Sequence, residues 1–144
     1  MQSHDRATLL EMVLRLHGDF RRRLGPLHVT VLQAGVILYL TRHTNAKLTD
    51  TAAALRIRPP TLTEVIQDLV GRRWVTNRRS PQDQRAVCLR LTRRGQVVAR
   101  SITGQVRLVG ALAPDIDPTI SDSTARRSDK PQRSLKPSLP HKQF

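Results

Sequence analysis

Between Arg72 and Arg94 the chain holds eight arginines, at 72, 73, 78, 79, 85, 90, 93 and 94, against a single acid, Asp83. A guanidinium presents a planar fork of donors that can grip a phosphate through two bonds at once, so a run of this sign and density suits a polyanion backbone. A solvated surface normally interleaves both signs, and this segment does not. Just upstream, Pro59-Pro60-Thr61-Leu62-Thr63 leads into Gln67. Thr61, Thr63 and Gln67 carry hydroxyls and an amide that can hydrogen-bond base edges from the exposed start of a helix. The candidate contacts to nucleic acid are therefore Arg58, Thr61, Thr63, Gln67, Arg78, Arg79, Asp83, Arg85 and Arg90.

Other chemistries find little footing. There is no Gly-rich phosphate loop and no GxSxG elbow, and too few acids stand near any histidine to orient a base, so no catalytic set or cofactor is expected. His4, His17, His28, His43 and His141 lack i, i+4 pairing and a ligand-type carboxylate cluster, which argues for solvated or helix-end histidines over a metal site. The lone Cys88 excludes an internal disulfide and a Cys-based zinc cage. It is expected on an outward strand face beside Arg90, more as a surface thiol than as a redox sensor.

The 144 residues allow one compact domain. Lys plus Arg number 25 against 11 acids, giving +14 and a pI near 11.7. Arginine supplies 21 of the cations, so the excess implies a polyanionic partner rather than a solubility coat. No uncharged apolar run approaches the roughly 18 residues of a membrane span. Asp5, Arg6, Glu11 and Arg15 interrupt any apolar signal core near the start, so no membrane association and a cytoplasmic location are expected. Composition shifts at Pro114: residues 114–144 hold five of the nine prolines, five serines and only six apolar residues, and read as a disordered Pro/Ser/Arg-rich tail. Residues 1–113 keep 19 cations against 7 anions.

The elements that must position the arginines follow from periodicity. Leu9, Leu10, Val13, Leu16 and Phe20 recur at helical steps up to the Gly25-Pro26 breaker. Thr30-Val31-Leu32-Gln33 is a capping box that opens a second, more buried helix through Ile37, Leu38 and Leu40. Leu48, Ala52 and Leu55 share a face of a short third helix, capped by Asn45 or Thr49. Pro59-Pro60 starts a fourth, with Leu62, Val65, Ile66 and Leu69 as its core face. From Trp74 the period falls to two. Trp74-Val75-Thr76 reads as one strand, Val87 to Leu91 as another, and Ser80 to Gln84 as the turn of a β-hairpin. Thr92 caps a last helix whose stripe is Val98, Ile102, Val106, Val109 and Ala113. Trp74 is expected in the core, and any crevice between the flanking helices and the central module should be aliphatic and arginine-rich.

These elements describe a mainly α fold with a small β-hairpin wing. It is a winged helix-turn-helix over residues 27–92 carried between two further helices, 4–23 and 93–113, to which the family resemblance described next assigns dimerisation. The run Pro59-Pro60-Thr61-Leu62-Thr63, then Leu69-Val70, Val75, Arg78, Pro81, Asp83, Arg85-Ala86-Val87, Leu89, Leu91-Thr92 and Gly95 resembles the MarR family of bacterial winged-helix repressors. The resemblance implies a homodimer on a pseudo-palindromic operator, with a recognition helix in the major groove and a wing in the minor groove. It also implies release from DNA by small phenolic or amphipathic ligands, or by cysteine oxidation.

Departures from the family pattern qualify what is carried over. Ala46-Lys47 replaces the usual Leu-Thr, Arg56 the usual Gly, and Arg58 the usual capping Ser. A left-handed backbone at Arg56 would cost about 1 kcal/mol. Glu64 stands where a cation is common, with Asp68 one turn on, available to pair with Arg72. Pro114-Asp115-Ile116-Asp117-Pro118 stands where the family continues into a further helix. A partner interface built from Leu9, Val13, Leu16, Val98, Ile102, Val106 and Val109 would then hold a weak dimer. The reading is a sequence-specific transcriptional regulator acting as a repressor on double-stranded DNA, with a small-molecule effector. The alternative is a basic winged-helix module with a compromised dimer arm, which binds nucleic acid without sequence choice or acts through a protein partner.

Overall fold

The computed structural model describes residues 2–112, with side chains from 5 to 109. The proposed tail at 114–144, Ala113 and His141 lie outside the described residues. The elements run α1 (Gln2–Leu24), a 3-10 turn (Gly25–Leu27), α2 (Val31–Arg42), β1 (Ala46–Lys47), α3 (Leu48–Leu55), α4 (Pro59–Gly71), β2 (Val75–Arg79), β3 (Val87–Leu91) and α5 (Arg93–Leu112). It is a mostly helical winged helix with one small antiparallel sheet.

The capping box forms as the sequence predicts. Thr30 Oγ1 accepts from the Gln33 N–H at 3.1 Å, and the Gln33 Oε1 accepts from the Thr30 N–H at 3.1 Å. Behind it, Val36, Ile37 and Leu40 of α2 are buried and pack with Leu62, Ile66 and Leu69 of α4, Leu89 of β3, and Ala99 and Ile102 of α5. Helix α2 is thus the central element, in contact with α1, α3, α4 and α5.

The third helix is capped differently from expectation. Its N-cap is Lys47, with no side-chain hydrogen bond. Asn45 instead turns the chain in the left-handed region at φ 58°, and Thr49 lies inside the helix. The reason is β1, a two-residue strand absent from the sequence reading: Ala46 pairs with Leu89 and Lys47 with Cys88, which fixes the backbone just before α3. The sheet order is β1-β3-β2. Strand β2 begins at Val75, one residue later than Trp74.

Helix α3 ends with Arg56 at φ 52°, where the Ile57 N–H donates to the Ala52 carbonyl and the Arg56 N–H to that of Ala53. Helix α4 ends the same way, with Arg73 at φ 62°. There the Trp74 N–H donates to the Leu69 carbonyl and the Arg73 N–H to that of Val70. Arginine thus occupies two left-handed positions that usually go to glycine, at about 1 kcal/mol each.

Helix α5 corrects one expectation. Ile102 and Val109, assigned from sequence to a partner interface, are 0% and 2% exposed and pack within the same chain, because they share the face that meets α1 and α2. Among the described residues the large apolar side chains left open are Leu9, Leu10, Met12, Val13 and Leu14 on α1, Leu32 on α2, and Val97 and Leu108 on α5. Among the described residues no single helix is long and apolar enough to cross a membrane.

Candidate nucleic-acid interface

Helix α4 is seated by its apolar face and then locked by a polar chain. Gln33, whose Oε1 already serves the α2 cap, donates from Nε2 to Asp68 Oδ2 at 2.6 Å. The same oxygen lies 3.1 Å from Arg72 Nε. Arg72 Nη1 donates to the His28 carbonyl at 2.6 Å, and its guanidinium lies 4.9 Å over the Trp74 ring. One network therefore ties α4 to the N-terminus of α2 and to the corner after α1. Asp68 is taken up by this network rather than held out as a bare charge. Trp74 is half-buried against the core and serves as the platform for Arg72.

Opposite the buried residues, α4 exposes Thr61, Thr63, Glu64 and Gln67. Two positions along a helix differ by about 160° around its axis, so Thr61 and Thr63 sit at opposite margins of this face, with Glu64 and Gln67 between them. The Thr63 hydroxyl donates back to the Pro59 carbonyl at 2.9 Å, which leaves it an acceptor toward any ligand. Thr61 and Gln67 have no such use among the described contacts. Arg58, the N-cap residue, makes no side-chain cap bond and is exposed beside the start of α4.

The wing is built from the pairing of β2 with β3. Register puts Val75 opposite Leu91 and Asn77 opposite Leu89 on the core side, with Thr76 opposite Arg90 and Arg78 opposite Cys88 on the outer face. Arg78 and Arg90 therefore share the outer face, as alternation predicts, while Arg79 falls on the other parity near the tip. There Arg79 Nη1 donates across to the Gln84 carbonyl at 2.8 Å. Asp83 shapes the tip: its Oδ1 accepts from the Arg85 N–H at 3.0 Å and its carbonyl from the Ala86 N–H at 2.9 Å. The Ser80 N–H closes the loop on the Ala86 carbonyl at 2.8 Å. Arg78, Arg79, Arg85 and Arg90 are all exposed. Cys88 is half-buried between Lys47 and Arg78.

Sequence reasoning missed Lys47, since a two-residue strand has no periodicity to announce it, and the Gln33–Asp68 bond, whose partners are 35 positions apart. A crevice of about 610 Å³ opens between α2, β3 and α5; it is arginine-rich as expected, with Arg90, Arg100 and Arg107, but not mainly aliphatic, because Thr41, Thr44, Gln96 and Thr103 stand beside Leu40, Leu91 and Ala99, and α1 contributes nothing to its lining.

This geometry has known counterparts. Residues 29–87 match the family model described as MarR family. No curated protein matches the chain. Among solved structures, the transcriptional repressor CouR bound to a 23-mer DNA duplex is 26% identical with a TM-score of 0.71, covering 81% of this chain and 84% of that one. Wild-type MarR from E. coli in its apo form is 22% identical with a TM-score of 0.68, covering 80% and 87%. A mutant MarR from E. coli complexed with operator DNA is 22% identical with a TM-score of 0.69, covering 78% and 83%. The two E. coli structures speak for the fold. The family model covers the helix-turn-helix and wing, so residues 29–87 are a MarR-type winged helix-turn-helix, and the likeness to CouR over most of the chain supports a DNA-binding transcription regulator.

Proposed function

We propose that this protein is a cytoplasmic repressor that binds a pseudo-palindromic operator as a homodimer and occludes a promoter. The observation that carries the reading is the joint exposure of two elements of different chemistry. The α4 face offers Thr61 and Gln67 for base edges, and the wing offers Arg78, Arg79, Arg85 and Arg90 for phosphates and the minor groove. The similarity to CouR, solved on a DNA duplex, supports duplex DNA as the partner. The open apolar residues of α1, Leu9, Leu10, Val13 and Leu14, support a second copy as the other partner. A small-molecule effector is proposed as the agent that releases the protein from DNA, with no site assigned to it.

One set of titrations tests the DNA reading. Arg79→Ala with Arg85→Ala should weaken binding to any duplex and flatten the slope of log K against log[salt] by about two units per protomer. An unchanged slope removes the wing from the contact surface. Thr61→Ala and Gln67→Ala should each reduce discrimination between selected and random DNA by about tenfold, with little effect on random DNA. The exposed Glu64 favours a second reading, a module without sequence choice, because a carboxylate amid the face repels phosphate. Equal losses on both DNAs would establish that second reading.

A further inference from the structure

Arg90 lines two clefts at once. On one side lies the crevice of about 610 Å³ that also holds Arg100 and Arg107. On the other lies a cleft of about 540 Å³ on the outer face of the sheet, which also holds Lys47, Arg78 and Arg79. Neither lining includes a carboxylate. Among the described residues the ion pairs are Glu11–Arg15, Asp19–Arg22 and Asp68–Arg72, so none of these six cations is neutralised.

The contrast between the two long helices is instructive. Helix α1 spaces its acids for i, i+4 and i, i+3 pairing with arginine. Helix α5 has no acid from Arg93 to Leu112, and its arginines at 93, 100 and 107 recur every seven residues. Seven residues are two turns, so these three stand on one face at intervals of about 10 Å along the axis. Arg93, Arg100 and Arg107 are all exposed. A row of unpaired, single-sign, evenly spaced arginines that runs on through Arg90 into the wing has the form of a phosphate track.

We infer that this flank, Arg107 and Arg100 of α5 leading up to the wing at Arg90, is a second DNA surface that takes the phosphate backbone of duplex lying beyond the operator. The inference rests on the reading of the protein as a DNA-binding regulator, and it adds a contact that neither the recognition helix nor the wing tip makes. DNA reaching the track must continue past the wing along the side of the protomer, so the track engages only duplex longer than the operator itself. Its contribution is electrostatic and independent of sequence.

The test uses the full chain and duplexes selected by the purified protein from a random library, either trimmed to about 16 bp, enough for two half-sites one turn apart, or kept at about 40 bp. Wild type should bind the long duplex with a salt slope steeper by about two units per protomer, so that between 50 and 200 mM salt the gain from length falls about 16-fold per protomer and about 250-fold for a dimer. Arg100→Ala with Arg107→Ala should abolish that extra slope and leave binding to the short duplex unchanged. Arg100→Lys with Arg107→Lys, which keeps the charge, should restore it. Equal slopes on both lengths for wild type overturn the inference. So does loss of short-duplex binding in the alanine variant, which would put these residues in the operator contact. A length-independent protein whose melting temperature rises with pyrophosphate, in wild type but not in the alanine variant, would reassign the crevice to a small anion. If selection enriches no sequence, the operator reading fails separately, and the length comparison is made on random duplexes of the same two sizes.

Discussion

Gly95→Ala should destabilise the fold by about 3 kcal/mol or more, although helix propensity alone favours Ala by about 1 kcal/mol at a helical position. A Cβ at Gly95 would stand 2.0 Å from the Trp74 carbonyl oxygen, 3.0 Å from its carbonyl carbon and 3.2 Å from Leu91 Cδ2. The first two are backbone atoms, so no side chain can swing aside, and α5 must move bodily. That movement breaks a compact joint. Thr92 Oγ1 accepts from the Gly95 N–H at 3.0 Å and donates to the Arg73 carbonyl at 2.7 Å, while the Thr92 N–H donates to the Trp74 carbonyl at 2.9 Å. The same few atoms cap α5, fix the turn after α4 and set the base of the wing. A urea titration measures the effect, with a lower midpoint at unchanged slope expected. A midpoint equal to or above that of wild type would mean that the helix does not approach the turn so closely.

This joint also marks where sequence reasoning succeeds and where it stops. Thr92 is legible as a cap because capping is local: a hydroxyl just before a helix meets donors two or three residues on. The Thr30–Gln33 box is legible for the same reason. What Thr92 and Gln33 do with their remaining hydrogen-bonding capacity is not local. Thr92 reaches Arg73 and Trp74, and Gln33 reaches Asp68, across 18 to 35 positions. No spacing rule links such partners.

Apolar stripes show a similar limit. The stripe of α5 shows that Ile102 and Val109 are covered, but periodicity does not say by which chain. The fold covers them itself, and leaves Val97 at 60% and Leu108 at 45% exposed on another face. On α1 the same kind of stripe remains open, with Leu9, Leu10 and Leu14 at 59%, 60% and 62%. Of the candidate site, the arginine wing was legible because alternation fixes which strand residues point outward. The track on α5 was not, because its arginines are dispersed and gain meaning only beside Arg90.

Asp68→Ala sets two physical effects against each other on the recognition helix. Removing a carboxylate from a DNA-facing element lowers repulsion and would raise affinity for any duplex. Removing the acceptor shared by Gln33 and Arg72 frees α4 from α2. The Arg72–Asp68 pair is itself of little worth, because its side chains are 33% and 47% exposed and solvent screens them. The Gln33 bond is different: Gln33 is 8% exposed, so its Nε2 would lose a charged acceptor where water has little access. That loss costs about 2 kcal/mol, the usual scale for a buried donor deprived of a charged partner.

Destabilisation should therefore dominate. Asp68→Asn, which keeps an acceptor for Gln33, should cost less than half as much. In a double-mutant cycle with Gln33→Leu, measured by urea titration, the coupling should be about 1 kcal/mol or more. For binding, the released helix should lose discrimination between selected and random DNA even while random DNA is held as tightly as before or more so. Additive energies in the cycle, with discrimination intact, would reduce Asp68 to a surface charge and leave the apolar face of α4 as its sole anchor.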